Sequence, residues 1–98
     1  MRQNNAQKTI KLIITLLKAG ATTSDITRRL NEAGLTSSRS LPFTDLIVSA
    51  EISKIRNPST RFTSALYRAL LMLLITEELT FKDVAQAFFS VCAKARTL

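Results

Sequence analysis

The sequence has no histidine and a single cysteine, Cys92. Without histidine the usual Cys/His metal sites are excluded, and a lone cysteine cannot close an internal disulfide. A reducing cytoplasm is the setting this implies. Glycine and proline are scarce, two of each in 98 residues, and long stretches run without either, which favours an all-α chain over a many-turned β fold. Long apolar runs are missing too. The longest, Ala69 to Ile75, is seven residues, against the ~20 that span a bilayer. The start, MRQNNAQKTIKLIITLLKAGA, has the rough order of a signal peptide, but Lys11 and Lys18 bracket only six positions, one of them Thr15, too few for the apolar part of a leader. Neither export nor a membrane partner is expected.

Acidic side chains are outnumbered. Seven Asp and Glu face fourteen Lys and Arg, for a net charge of +7 and a pI near 10.4, the footprint of a protein that meets a polyanion. The excess is uneven: residues 1–61 carry ten basic and four acidic side chains, net +6, and residues 62–98 carry four and three, net +1. Serines and threonines are plentiful, but with no histidine and no plausible lysine–serine pair none is nominated as a nucleophile. No enzyme and no cofactor are expected.

With 46% apolar residues and no repeat, low-complexity tract or flexible linker, the chain suits one domain. Ala6, Ile10, Ile13, Ile14 and Leu17 line one face of a first helix that Gly20 stops. Thr22 or Thr23 can cap a second, with Asp25 completing a capping-box pattern, Ile26, Leu30 and Ala33 on its stripe, and Gly34 after it. Arg28 and Arg29 project from its other side. Eleven residues then follow, GLTSSRSLPFT from Gly34 to Thr44, where about four to six are usual. Thr44 is placed to cap a third helix with Asp45 in its first turn. Val48, Ile52 and Ile55 form its buried stripe; Leu46, Ser49, Ala50, Ser53 and Asn57, flanked by Lys54, form the opposite arc, which ends at Pro58.

A fourth helix is expected from Ser59 or Thr60. Phe62, Leu66, Ala69, Leu70, Leu73 and Leu74 keep its apolar period, while Leu71, Met72 and Ile75 spoil its polar face. Thr80 and Asp83 open a fifth, whose Phe81, Val84, Ala85, Phe88, Cys92 and Ala95 are expected to face the fourth. The expected architecture is all-α with about five helices: an N-terminal trihelical unit over 1–58 and a C-terminal helical hairpin over 59–98. Met72 and Cys92 are read as core filling.

Residues 24–58, SDITRRLNEAGLTSSRSLPFTDLIVSAEISKIRNP, resemble the helix-turn-helix segment at the start of the recombinase region of large serine recombinases, whose running pattern is I-A-x-x-L-N-x-x-G-I-x-T-x-R-G-x-x-W-T-x-x-x-V. Ile26, Leu30, Asn31, Gly34, Leu35, Ser37, Arg39, Pro42, Phe43, Thr44 and Val48 fall on matching or conservatively changed positions without a gap. Thr27 replaces a small residue, Ser40 stands where the pattern has glycine, and the third helix is about a turn longer. A chain of this length has no room for the serine-nucleophile catalytic domain, so the resemblance implies DNA binding rather than recombination, in the setting of a phage, plasmid or other mobile element.

On this reading the DNA-facing residues are Thr23, Ser24, Arg28 and Arg29 of the second helix, Ser38 and Arg39 at the loop crest, and Ser49, Ser53, Lys54 and Asn57 of the third. Pro42 fixes the backbone before Phe43, which anchors the loop in the core. Leu46 is expected to tuck under the turn rather than meet a thymine methyl. Leu70, Leu71, Leu74, Ile75 and Phe88 are expected to pair two copies, placing two reading helices about 34 Å apart. The alternative is a helical protein-binding module that docks an acidic partner. RNA is disfavoured because the aromatic residues are assigned to the core.

Overall fold

The computed structural model describes residues 4–88. They form five α-helices and no strand: α1 Asn5–Lys18, α2 Thr23–Glu32, α3 Asp45–Arg56, α4 Ala65–Ile75 and α5 Phe81–Phe88, with a 3₁₀ turn at Arg61–Thr63 between α3 and α4. None of these helices is long and apolar enough to cross a membrane.

Helix starts follow local side-chain chemistry. The Asn4 side chain accepts from the Gln7 amide and Gln7 returns the bond; Thr22 and Asp25 do the same for α2, each pair satisfying amides that a helix start otherwise leaves unbonded. Thr44 Oγ1 accepts from the Ile47 amide at 3.2 Å. The stops share one device. After α1, α2 and α4 the residue past the cap adopts a left-handed backbone, at Gly20 (φ +84°), Gly34 (φ +75°) and Glu77 (φ +63°), and the following amide returns to the carbonyl of Leu16, Leu30 or Leu73. Both glycines of the chain are used this way. The third stop falls to a glutamate, which carries a Cβ in a conformation that disfavours one.

Among the described residues α4 and α5 do not pack as the expected hairpin. Helix α1 packs chiefly on α4 and α5 and less on α2, while α5 rests on α1 rather than on α4. The physical reason lies in α1 itself. Besides the buried Ile10, Ile13 and Ile14 it carries Leu12, Leu16 and Leu17 partly buried around them, so its apolar surface is wide enough for two partners. Ion pairs reinforce the arrangement: Lys11 lies 3.6 Å from Glu78, and Lys18 binds Asp83 directly. A division at residue 58 therefore cuts through a shared core, which runs from Ile10 through Ile26, Phe43 and Val48 to Leu73 and Phe88.

Two boundaries also differ. Helix α4 starts at Ala65, capped by Ser64, whose side chain accepts from the Tyr67 amide, and not at Ser59 or Thr60; residues 57–63 are spent on turns that end α3. Phe62 is left outside the core at 67% exposure. In α5, Ala87 and Phe88 are buried and Val84 is half-buried, whereas Phe81 is 80% exposed and Ala85 is exposed. Cys92 and Ala95 lie outside the described residues.

Asp83 joins the α5 capping box to α1. Its carboxylate accepts from the Thr80 amide at 3.0 Å and binds Lys18; hydrogen bonding to Lys18, then to Thr80, pulls its pKa down to about 2. An unfolded aspartate titrates near 3.9. A depressed carboxylate stabilises the fold fully above its unfolded pKa and loses that contribution as pH falls through the folded one. The stability difference between wild type and Asp83→Asn is therefore expected to be constant above about pH 5 and to shrink as pH falls from about 4 toward 2. Urea titrations across that window check this, and a difference that stays constant down to pH 2 refutes it.

Candidate nucleic-acid interface

Helices α2 and α3 pack together, with the long loop holding the angle between them. Phe43, 5% exposed, inserts into the core. Asn31, late in α2, fastens the loop from the other side: its Nδ2 donates to the Phe43 carbonyl at 3.0 Å and its Oδ1 accepts from the Phe43 amide at 2.9 Å. The crest is closed on itself. The Ser37 amide donates to the Leu41 carbonyl at 2.8 Å and the Ser40 amide to the Ser37 carbonyl at 2.9 Å, and Ser40 takes φ +61° where the recombinase pattern has glycine. Asn5 Nδ2 donates to the Thr36 carbonyl at 2.8 Å, tying the loop to α1. Ser38 and Arg39 stand exposed on this braced crest.

Along α3, Val48, Ile52 and Ile55 are buried, and Ser49, Ala50, Ser53 and Asn57 are exposed. Leu46 is 80% exposed and does not tuck under the turn: Phe43 already occupies the core at that end, and Leu46 points opposite to the buried stripe. Lys54, half-buried at the edge of the arc, lies 3.9 Å from Glu51. Asn57 is only partly available, because its Oδ1 accepts from the Ser59 amide at 2.9 Å.

The cations of α2 differ. Arg28 is shared between Asp25 at 3.6 Å and Glu32 at 3.2 Å, exposed pairs of small energy. Arg29 and Arg39 have no ion-pair partner among the described residues. Thr23 is half-buried at the start of α2, and Ser24 donates to the Asp45 carboxylate at 3.0 Å. The start of α3 is thus acidic, and positive charge lies at the crest, on the outer side of α2 and toward the end of α3.

That end has its own fastening, which sequence reasoning missed. Arg61 donates from Nε to the Ile55 carbonyl at 3.1 Å and from Nη2 to the Arg56 carbonyl at 3.2 Å, and its guanidinium lies 5.6 Å from the Tyr67 ring centre. A cation here satisfies the last carbonyls of α3 and suits the negative end of its dipole. Tyr67 also meets Phe62 edge to face at 5.5 Å. An arginine just past a predicted helix end was the available signal.

The residues assigned to pairing separate into two groups. Leu70 and Phe88 are each 1% exposed and belong to the core of the single chain, because α1 covers the face of α4 that carries Leu70. Leu71 and Leu74 are half-buried against that core, Ile75 is 73% exposed, and Met72 is exposed rather than core filling. The exposure of Phe62 and Phe81 likewise removes the ground on which RNA was disfavoured. Among the described residues no group of three or more His, Cys, Asp or Glu side chains is arranged to hold a metal ion. Comparison with protein-family models, with curated proteins and with solved structures gives no match.

Proposed function

We propose that the chain is a sequence-specific duplex DNA-binding protein, a transcriptional regulator of the kind carried by phages, plasmids or other mobile elements, acting as a homodimer. The observation that carries this reading is the exposed arc of α3. Small side chains at Ser49, Ala50 and Ser53 leave the helix free to approach a major groove closely, Lys54 flanks them, Arg39 stands exposed on the loop crest, and the Asn31–Phe43 clamp fixes the angle of the helix. Arg28 and Arg29 serve the phosphate backbone on either side. The mobile-element setting rests on the resemblance alone. Pairing rests on Ile75, with Leu71, Leu74 and Met72 beside it, in a half of the chain whose low net charge lets two copies approach.

A second reading is favoured by Leu46 and Phe62, at 80% and 67% exposure: large apolar side chains bordered by cations also suit a protein partner with an acidic surface. One titration separates the two. Wild-type protein, titrated against random duplex, single-stranded RNA and no nucleic acid, is expected to bind the duplex with a log affinity that falls against log salt with a slope of roughly −4 to −5 per protomer, as for four to six phosphate contacts. Two protomers per site are expected at saturation. Absent duplex binding at low salt, or indifference to salt, overturns the DNA reading in favour of the protein partner; preference for RNA overturns its duplex specificity; one protomer per site overturns the pairing.

A further inference from the structure

The seam between α3 and the scaffold is thinly filled. Helix α3 packs chiefly on α2 and more lightly on the 3₁₀ turn and on α4. On the flank of α3 between the proposed reading arc and the buried stripe this leaves a groove of about 350 Å³. Its lining is mixed: Ala6 of α1, Phe43 of the loop, Ile47 of α3 and Leu66 of α4 give apolar surface, with polar loop and helix side chains beside them, and its charged residues are Glu51, Lys54 and Arg68. That volume lies at the small end of the range for organic ligands, and the mixed lining suits a small ligand with one apolar and one charged end.

We propose that this groove binds a small organic monoanion, an aliphatic or aromatic carboxylate, and that its occupancy changes the affinity of the neighbouring arc of α3 for DNA. The charge argument is direct. Two cations face one carboxylate, for a local balance of +1. Lys54 is tied to Glu51 only at 3.9 Å, with its side chain 40% exposed, a pair of little energy that leaves its ammonium available. Arg68 is exposed and has no ion-pair partner among the described residues, and its planar guanidinium matches a carboxylate with two parallel donors. A cationic or dianionic ligand is disfavoured, the first by Arg68 and Lys54, the second by Glu51.

The regulatory consequence follows from position. Ile47, Glu51 and Lys54 line the groove from the helix whose adjoining face is the proposed DNA reader, with Lys54 at the shared border, and Ser37 and Ser38 line it from the loop that carries Arg39. A ligand seated there touches α3, the loop and the scaffold at once. It shifts DNA affinity by whatever factor DNA shifts its own, since coupling between two sites is reciprocal. This coupling rests on the DNA reading; the binding of the carboxylate does not.

The test uses benzoate and hexanoate, with benzylamine and benzyl alcohol as shape controls, titrated into the full chain and followed by backbone-amide NMR. Benzoate is expected to bind wild type in the millimolar range, as a fragment of that size does, and to shift the amides of Ile47, Glu51 and Leu66. Benzylamine is expected not to bind. Arg68→Glu, a surface change that leaves the core intact, should weaken benzoate about tenfold or more, and Lys54→Gln should weaken it less. Equal binding of benzoate, benzylamine and benzyl alcohol, failure of both carboxylates at about 10 mM, or an Arg68→Glu variant that binds benzoate as wild type does overturns the site. Duplex titrations with and without saturating benzoate read the coupling. Unchanged DNA affinity overturns the regulatory half, whereas benzoate binding by a protein that binds no duplex supports the site and removes the DNA reading.

Discussion

Phe43→Ala is expected to lower the unfolding free energy by about 3 to 4 kcal/mol, the range for truncating a buried phenylalanine, and to release α3 from its fixed angle. The ring is 5% exposed and joins one apolar cluster with Leu30, Val48 and Ile52. The chain immediately before it is exposed at Leu41 and Pro42, so no adjacent side chain is placed to collapse into the vacancy. Domains of this size have about 5 to 15 kcal/mol in total, so the loss is a large fraction. Asn31→Ala attacks the same anchor differently: the part-buried Phe43 amide and carbonyl lose both bonds to the Asn31 side chain, at a cost of about 1 to 3 kcal/mol for each group left unsatisfied. Because both changes act through Phe43, the double variant should lose less than the sum of the two. Urea denaturation of the four proteins measures this. A Phe43→Ala loss under about 1 kcal/mol, or strict additivity with Asn31→Ala, shows that the loop does not depend on this anchor.

What the sequence disclosed about this region, and what it concealed, follows from how far each signal reaches along the chain. Phe43 was legible because a single aromatic between Pro42 and Thr44, in an otherwise polar loop, has few roles other than anchoring. Asn31 was not, since its partner lies twelve residues on and an asparagine late in a helix looks the same whether its amide faces water or a backbone. The stops at Gly20 and Gly34 were legible from glycine itself. Glu77 builds the same stop without the residue that advertises it. Helix α5 was placed on the wrong neighbour for a related reason. Periodicity assigns each helix a face but not an addressee, and the second apolar face of α1, at Leu12 and Leu16, marked it as a helix with two. On α3 the buried stripe of Val48, Ile52 and Ile55 was legible from its spacing, but Leu46 on the outer arc looked like a residue to be covered and is exposed; the engagement of Asn57 with Ser59 and of Ser24 with Asp45 depends on side-chain geometry that composition does not carry.

Ser53→Glu is expected to reduce duplex affinity by about 100-fold or more while leaving the fold intact, because a carboxylate forced toward a phosphate-lined groove meets repulsion of several kcal/mol. Ser53 is exposed near the centre of the arc formed by Leu46, Ser49, Ala50 and Asn57, so a longer side chain there has no protein neighbour to displace. Two small effects on stability oppose one another. Glutamate is a better helix former than serine, but in the last turn of α3 it stands at the negative end of the helix dipole. The thermal midpoint should therefore move little, which separates loss of binding from loss of structure. Ser53→Ala is the companion: removal of one hydroxyl contact is expected to cost about 1 to 3 kcal/mol with the cognate site if that hydroxyl reads a base and nearly nothing with random duplex. Arg39→Gln gives the complementary pattern, weakening all duplexes alike and lowering the salt slope by about one, as the loss of a phosphate contact does. If Ser53→Glu binds duplex about as tightly as wild type while Arg39→Gln does not, the crest and α2 carry the contact and α3 is not the reading helix; if both variants bind normally, the exposed arc serves another ligand.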